Sequence, residues 1–217
     1  MDILSHRGYW LDDREKNTTV AFERSFALGY GTETDVRDLA GRLVISHDPP
    51  RGGELTLAQL LALAGDSQPP LAINIKADGL AGSVAQEMAR HGYLNWFVFD
   101  MSIPDTRAQL GAGNPTYVRM SELEPAPPLL DVASGVWLDA FESDGWRIGA
   151  LASLIERGLQ VCLVSPELHR RAHRPFWQQL KQSALHLHGK VSLCTDLPEE
   201  ASAFFAERPI PACVERA

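Results

Sequence analysis

From Ile3 onward the chain alternates short apolar runs of strand length with amphipathic stretches of helix length, and this alternation limits the fold more than any other feature. Strand-like runs fall at residues 2–5, 31–35, 70–75, 95–100, 116–119, 134–139, 160–164 and 190–195. Helical stretches fall between and after them at 18–29, 56–65, 80–92, 103–110, 147–158, 166–183 and 198–207, with only a short, proline-broken segment after the fifth strand. Parallel neighbours must be joined by a long crossover, usually a helix, so this repeat specifies βα units around a parallel sheet. Eight units in 217 residues leave about 27 residues each, near the lower limit for such a repeat. The expected fold is α/β, a short (β/α)8 TIM barrel forming a single domain over residues 1–217.

Local signals support these boundaries. Asn17 or Thr18 can cap the first helix, Thr56 the second and Asp196 the last, where Pro198, Glu199 and Glu200 suit a first turn. Gly29, Gly92 and Gly158 stand where helices should stop. The proline clusters at 49–50, 69–70 and 125–128 mark loops rather than linkers, because each is followed by another strand or helix signal.

Charge and cysteine content narrow the partners. The formal net charge of −8 opposes attraction to nucleic acid or an anionic membrane, so an anionic substrate would need a bound cation or a local cluster of Arg and Lys. No apolar stretch is long enough for membrane insertion. The start of the chain shows neither a basic leader nor a long apolar run, which gives a cytoplasmic location as the expectation. Cys162, Cys194 and Cys213 are odd in number and widely spaced, and are expected as free, buried thiols.

Polar residues collect at the ends of the expected strands. The first runs into His6, Arg7 and Gly8, the second carries Glu33 and Asp35, and the third Asn74 and Lys76. Later strands end at Asp100, Arg119, Asp139 and Thr195-Asp196. In a barrel these positions converge on one rim, the C-terminal face where catalytic groups gather. Glu33 and Asp35, two apart on a strand, point to the same side, and two such carboxylates suit Mg²⁺ or Ca²⁺ between them. The plain alternative is a pair of solvent-facing acids, or acids paired with Arg37 or Arg42. His6 and His47 are the proton-transfer candidates, with Asp48 placed to orient His47, and His169 is a possible rim residue. Arg7, Lys76 and Arg119 can cradle a phosphate or lean on the acids just named. There is no Gly-x-Ser-x-Gly elbow for acyl transfer.

Taken in order, Ser5-His6-Arg7-Gly8, Asn17-Thr18 with Ala21-Phe22, Gly31-Thr32-Glu33-Thr34-Asp35-Val36, Leu43-Val44-Ile45-Ser46-His47-Asp48 and the late Cys194-Thr195-Asp196-Leu197-Pro198 resemble the glycerophosphodiester phosphodiesterases. That family belongs to the phospholipase-C-like barrel phosphodiesterases. The resemblance is dense over residues 5–48, thin through the middle and clear again at 194–198. It implies His6 and His47 as the general acid-base pair, Glu33 and Asp35 as metal ligands, and Arg7 and Lys76 as phosphate neighbours. Asn74 stands where the family usually has a third, glutamate ligand, and Lys16 stands where it commonly has glutamate. Only eight residues, 48–55, separate His47 from Thr56, so the insertion many members carry there is missing.

The resulting expectation is a metal-dependent phosphodiesterase that cleaves a small or polymeric glycerophosphodiester-like bond. A first rival, motivated by Asn74 and Lys16, is a catalytically weakened barrel that binds a phosphodiester or sugar phosphate. A second is a barrel isomerase or aldolase, which would be expected to use a Schiff-base lysine or an isolated carboxylate base.

Overall fold

The computed structural model describes residues 1–206. Cys213 and the last residue of the expected final helix lie outside the described residues. The strands and helices run β1 (Asp2–His6), α1 (Thr19–Ala27), β2 (Gly31–Leu39), β3 (Arg42–Ile45), α2 (Leu57–Ala64), β4 (Leu71–Ile75), α3 (Ala81–His91) and β5 (Trp96–Phe99). They continue α4 (Ile103–Gly111), β6 (Tyr117–Met120), β7 (Gly135–Leu138), α5 (Arg147–Glu156), β8 (Gln160–Val164), α6 (Arg174–Gln182), β9 (Val191–Thr195) and α7 (Pro198–Ala206).

Eight of these strands pair in the order β5-β4-β2-β1-β9-β8-β7-β6, every neighbouring pair parallel. The ends of this path meet through a narrow seam, where Val98 pairs with Thr116 and donates its N–H to the Pro115 carbonyl at 2.8 Å. The sheet is a nearly closed (β/α)8 barrel, as the sequence pattern specifies. The segment between β6 and β7 carries no helix.

Several local expectations hold. Thr56 caps α2 in a reciprocal box with Gln59. Gly29, Gly92 and Gly158 take positive φ beyond helix ends. Cys162 and Cys194 are free and fully buried.

Others need correction. The segment ahead of His47 is a ninth strand, β3, antiparallel to an extended β2. Ala40 and Gly41 both have positive φ, the conformation of a tight two-residue hairpin turn. The expected helix over 166–183 is broken: a 3₁₀ turn covers Pro166–His169, Arg170 adopts φ 58°, and α6 starts only at Arg174, with Pro175 in its first turn. That break leaves His169 at the end of a short turn beside the barrel. Thr18 occupies the α1 cap position without a side-chain cap bond, its hydroxyl donating instead to the Glu15 carbonyl at 2.6 Å. The last helix starts at Pro198, which puts its cap position at Leu197 rather than Asp196, and Asp196 Oδ1 lies instead 2.8 Å from His6 Nδ1.

Two apolar clusters lie between the sheet and its surrounding helices, one around Phe22, Leu57 and Ile73, the other around Leu138, Leu163 and Trp177. A third fills the barrel interior with Leu4, Ala72, Phe97, Phe99, Trp137, Cys162, Val164 and Cys194. Because side chains alternate along a strand, the residue two beyond each interior residue also points inward, one layer closer to the rim. Leu4 is followed in this way by His6, Ala72 by Asn74, Tyr117 by Arg119, Trp137 by Asp139 and Cys194 by Asp196. The period of two thus converts an apolar plug into a polar mouth.

Candidate active site

The register of β1, β2 and β4 places the central residues side by side. His6 is opposite Glu33, and Asp35 is opposite Asn74. The loop after β1 is tightly held: Arg7 has φ 60° and donates its N–H to the Glu33 carbonyl at 2.9 Å. Gly8 follows with φ 81°, and a Cβ there would lie 2.7 Å from that of Ala21, so both backbone conformation and close packing demand glycine. Arg7, Asn17 and Asp100 are non-glycine residues held at positive φ around the same mouth, a local strain of the kind that gathers at functional sites.

His6 Nδ1 is 2.8 Å from the Asp196 carboxylate, and its Nε2 lies 3.9 Å from Glu33. Asp196 is itself held by Glu167, which accepts from the Asp196 N–H at 3.2 Å and from the Thr195 hydroxyl at 2.5 Å. This gives His6 an orienting carboxylate and that carboxylate a fixed backbone.

Glu33 and Asp35 are buried rather than solvent-facing; Asp35 pairs with Arg7 and Lys76, and Glu33 lies beside His6, so neither acid pairs with Arg37 or Arg42. Asp35 lies 3.1 Å from Arg7 Nε and 3.5 Å from Lys76 Nζ, and accepts a bond from the Asn17 amide at 2.9 Å. Asn17 in turn accepts from the Thr34 hydroxyl. Burial, reinforced by the charge of Asp35, lifts the Glu33 carboxyl to a pKa of about 7.

Glu33 Oε2, Asp35 Oδ1 and Asn74 Oδ1 are all buried without a hydrogen-bond donor. Three orphaned hard oxygens on adjacent strands fit a hard divalent cation, which both recovers their lost hydration and offsets the repulsion between the acids. The donor set holds two carboxylates and one neutral amide. Among the described residues, no group of three or more His, Cys, Asp or Glu side chains is placed to share one ion.

Two cavities meet at Arg7. One, of about 250 Å³, sinks into the barrel mouth and is lined by His6, Arg7, Glu33, Asn74, Arg119 and Asp139, with Trp137, Phe141 and His169 on its wall. The other, of about 680 Å³, is a wide polar cleft lined by Arg7, Asp13, Lys16, His47, Asp48 and Glu54. His47 is half-exposed in that cleft, with Nδ1 3.0 Å from Asp48 and its carbonyl accepting from Arg37. The two expected acid-base histidines therefore face neighbouring cavities rather than a common one. Lys76 lines neither: it bridges Asp35 and, at 3.8 Å, Asp100. Lys16 is engaged by Asp13 at 2.7 Å and lies over the Trp10 ring.

Sequence reasoning placed Arg119 and Asp139 on the rim without finding their partners. Arg119 pairs with Asp100 at 2.7 Å and Glu124 at 2.5 Å, and Asp139 is bonded to His169 at 2.7 Å. The Asp196–His6 contact was obscured by a competing helix-cap signal.

The chain matches no protein-family model and no curated protein. Its fold is similar to that of a glycerophosphodiester phosphodiesterase from Agrobacterium tumefaciens str. C58, at 17% identity over 95% of this chain and 100% of that one, with a TM-score of 0.68. A phosphodiesterase from Oleispira antarctica in complex with the product sn-glycerol-3-phosphate matches 95% of this chain and 97% of its own, at 13% identity and a TM-score of 0.63. A phosphoribosyl anthranilate isomerase from Thermus thermophilus, at 15% identity and a TM-score of 0.51, covers 95% of this chain and 97% of its own. These likenesses establish the TIM-barrel architecture, which serves more than one chemistry, and the residues at its mouth must decide between them.

Proposed function

We propose that this protein is a phosphoric diester hydrolase that acts on a glycerophosphodiester or a related small or polymeric phosphodiester. The observation that carries this reading is the convergence on one barrel mouth of a carboxylate-held histidine, an arginine and three orphaned hard oxygens. The likeness to barrel phosphodiesterases, one of them holding sn-glycerol-3-phosphate, supports it. An isomerase or aldolase reading gains nothing from Lys76, which is tied to Asp35 and Asp100.

Arg7, the residue shared by the two cavities, places the phosphoryl group between them, one ester arm in the barrel mouth and the other in the open cleft. Its guanidinium opposes the charge on the phosphoryl oxygens, with Arg119 on the same cavity wall. One of His6 and His47 takes the proton of the attacking hydroxyl as the new P–O bond forms, and the other gives its proton to the departing alkoxide as the old bond breaks. Asp196 and Asp48 orient the two rings. The attacking hydroxyl belongs to water, or to a neighbouring group of the substrate that first closes a cyclic phosphate. Glu33, Asp35 and Asn74 would hold Mg²⁺ or Ca²⁺, which supplies Lewis-acid stabilisation of phosphoryl charge.

The residues 46–55 that border the cleft form a short connection rather than a cover, which leaves room for a bulky or polymeric leaving group. Among the described residues no helix is long and apolar enough to cross a membrane.

The test is a panel of glycerophosphodiesters and glycerol-phosphate polymers, assayed with and without Mg²⁺, Ca²⁺ and Mn²⁺. Metal-stimulated release of phosphomonoester from at least one of them is expected. Failure of every diester under every metal condition would remove the hydrolase reading.

A further inference from the structure

Glu167 lines neither cavity, yet it gathers three hydrogen-bond donors from the ends of two strands. It lies in the 3₁₀ turn that follows β8, and its side chain is 13% exposed. Oε1 accepts from the Thr195 hydroxyl at 2.5 Å and from the Asp196 N–H at 3.2 Å, where β9 ends. Oε2 accepts from the hydroxyl of Ser165, just beyond β8, at 2.5 Å.

Donors on the far side of each hydroxyl fix the direction of these bonds. The Ser165 oxygen accepts from the indole N–H of Trp177 at 2.8 Å, and the Thr195 oxygen accepts from the Leu197 N–H at 3.0 Å. An indole or backbone N–H can only donate, so each hydroxyl turns its own proton toward the carboxylate. Ser165, Trp177 and Thr195 are fully buried, which anchors the network in the packed layer beneath α6. His173 Nδ1 stands 4.0 Å from Oε2, beyond hydrogen-bond reach. The three donors offset the cost of burying the carboxylate.

The consequence reaches the barrel mouth through one residue. Asp196 Oδ1 is 2.8 Å from His6 Nδ1, and such a bond weakens steeply when its partners fall out of line. The N–H that Glu167 holds belongs to the same residue whose carboxylate orients His6, so its release would let Asp196 swing away from the ring. Glutamine would keep part of this hold. Its single acceptor oxygen stays at the Oε1 position, because the Asp196 N–H can only donate, and its amide N–H then faces the Ser165 oxygen.

We propose that Glu167 is a positioning residue for the reaction, which holds the end of β9 so that Asp196 stays in line with the His6 ring. The inference rests on the proposed role of His6, and it adds a residue outside both cavities on which that role depends.

The test combines a double-variant cycle with a readout that needs no turnover. Glu167→Ala should lower kcat at least about tenfold with KM within about threefold of wild type, because the orienting group is misplaced while the cavity wall is unchanged. In an Asp196→Asn background the same substitution should lower kcat by less than about threefold, since the contact it serves is already lost. Glu167→Gln should bring kcat back to within about threefold of wild type. In imidazole nitrogen NMR the His6 ring signals, identified by their loss in His6→Ala, should move in Glu167→Ala in the same direction as in Asp196→Asn and return in Glu167→Gln. Should Glu167→Ala not fold, Thr195→Val removes one donor at nearly constant shape and should move the same signals. Equal losses of kcat in the two backgrounds, or His6 signals that keep their wild-type positions in the folded variant, would overturn the positioning role and leave the hydrolase reading standing. A wild type without turnover would instead remove the hydrolase reading, and the His6 signals alone would then decide whether Glu167 positions the ring.

Discussion

Replacing Asp196 by asparagine isolates the contribution of the carboxylate that holds His6. The contact is 2.8 Å, and both side chains are less than one-fifth exposed, at 18% for His6 and 19% for Asp196. Solvent screening is therefore partial. A hydrogen bond to a charged group in such a setting contributes about 1.5–3 kcal/mol. If that bond matters most while His6 carries the transferred proton, its loss falls on the chemical step and lowers kcat about 10- to 150-fold. Asparagine preserves size, and Glu167 continues to hold the backbone N–H of residue 196 and the Thr195 hydroxyl, so the loop should keep its course. The assay is steady-state kcat and KM on a glycerophosphodiester, with Tm measured alongside as a control for folding. A folded Asp196→Asn protein whose kcat stays within about threefold of wild type would show that this contact does not serve the reaction.

Four further outcomes are expected. His6→Ala and His47→Ala should each lower turnover by about a hundredfold or more with the fold intact, and the double variant should fall far short of their product, whereas wild-type turnover from either single variant would remove that histidine from the mechanism. Asn74→Glu should bind divalent metal more tightly by calorimetry and bind substrate phosphate more weakly, because it adds negative charge beside Glu33 and Asp35; equal metal affinity for the two proteins would mean that position 74 does not face the ion. Glu33 is raised by burial from 4.5 to about 7, so the stability it gives is full below pH 4.5 and is lost as pH rises through 7. In chelator-treated protein Glu33→Gln should accordingly gain Tm relative to wild type between about pH 5 and pH 8, and parallel pH curves would contradict the buried, raised carboxyl. Glycerol-phosphate polymers should compete with small diesters for the open cleft beside Arg7, and a polymer that fails to inhibit would show that the cleft is closed to it.

The barrel was legible because two sequence periods agree with it: strand runs alternate with helices, and polar residues recur at inward positions just beyond the apolar ones. What escaped was structure that depends on unusual backbone or on distance along the chain. The β2–β3 hairpin turns at Ala40-Gly41, which lacks the Asn-Gly or Asp-Gly pair that usually announces two positive φ values. The break before α6 depends on Arg170 in a left-handed conformation, which no residue type in that stretch advertises. Within the site, His6, Arg7, Glu33 and Asn74 could be placed at one rim from strand position alone, and the structure brings them to one cavity. The pairing of His6 with Asp196 joins residues 190 apart and appears only when β1 meets β9. The Asp139–His169 pair likewise depends on a turn that sequence periodicity merged into a helix. The positions of His47 and Lys76 could not be read from spacing, since one depends on the hairpin and the other on which acid its ammonium group reaches.

Phosphorus NMR of a glycerophosphodiester incubated with wild type and with His6→Ala follows the reacting bond directly. With added Mg²⁺ or Ca²⁺ the wild type should convert the diester resonance to a monoester, through a cyclic phosphate signal if a substrate hydroxyl attacks first, while His6→Ala leaves the diester intact over the same interval. An unchanged diester in the presence of a wild type that binds sn-glycerol 3-phosphate would contradict the hydrolase and leave a barrel that recognises its ligand without cleaving it.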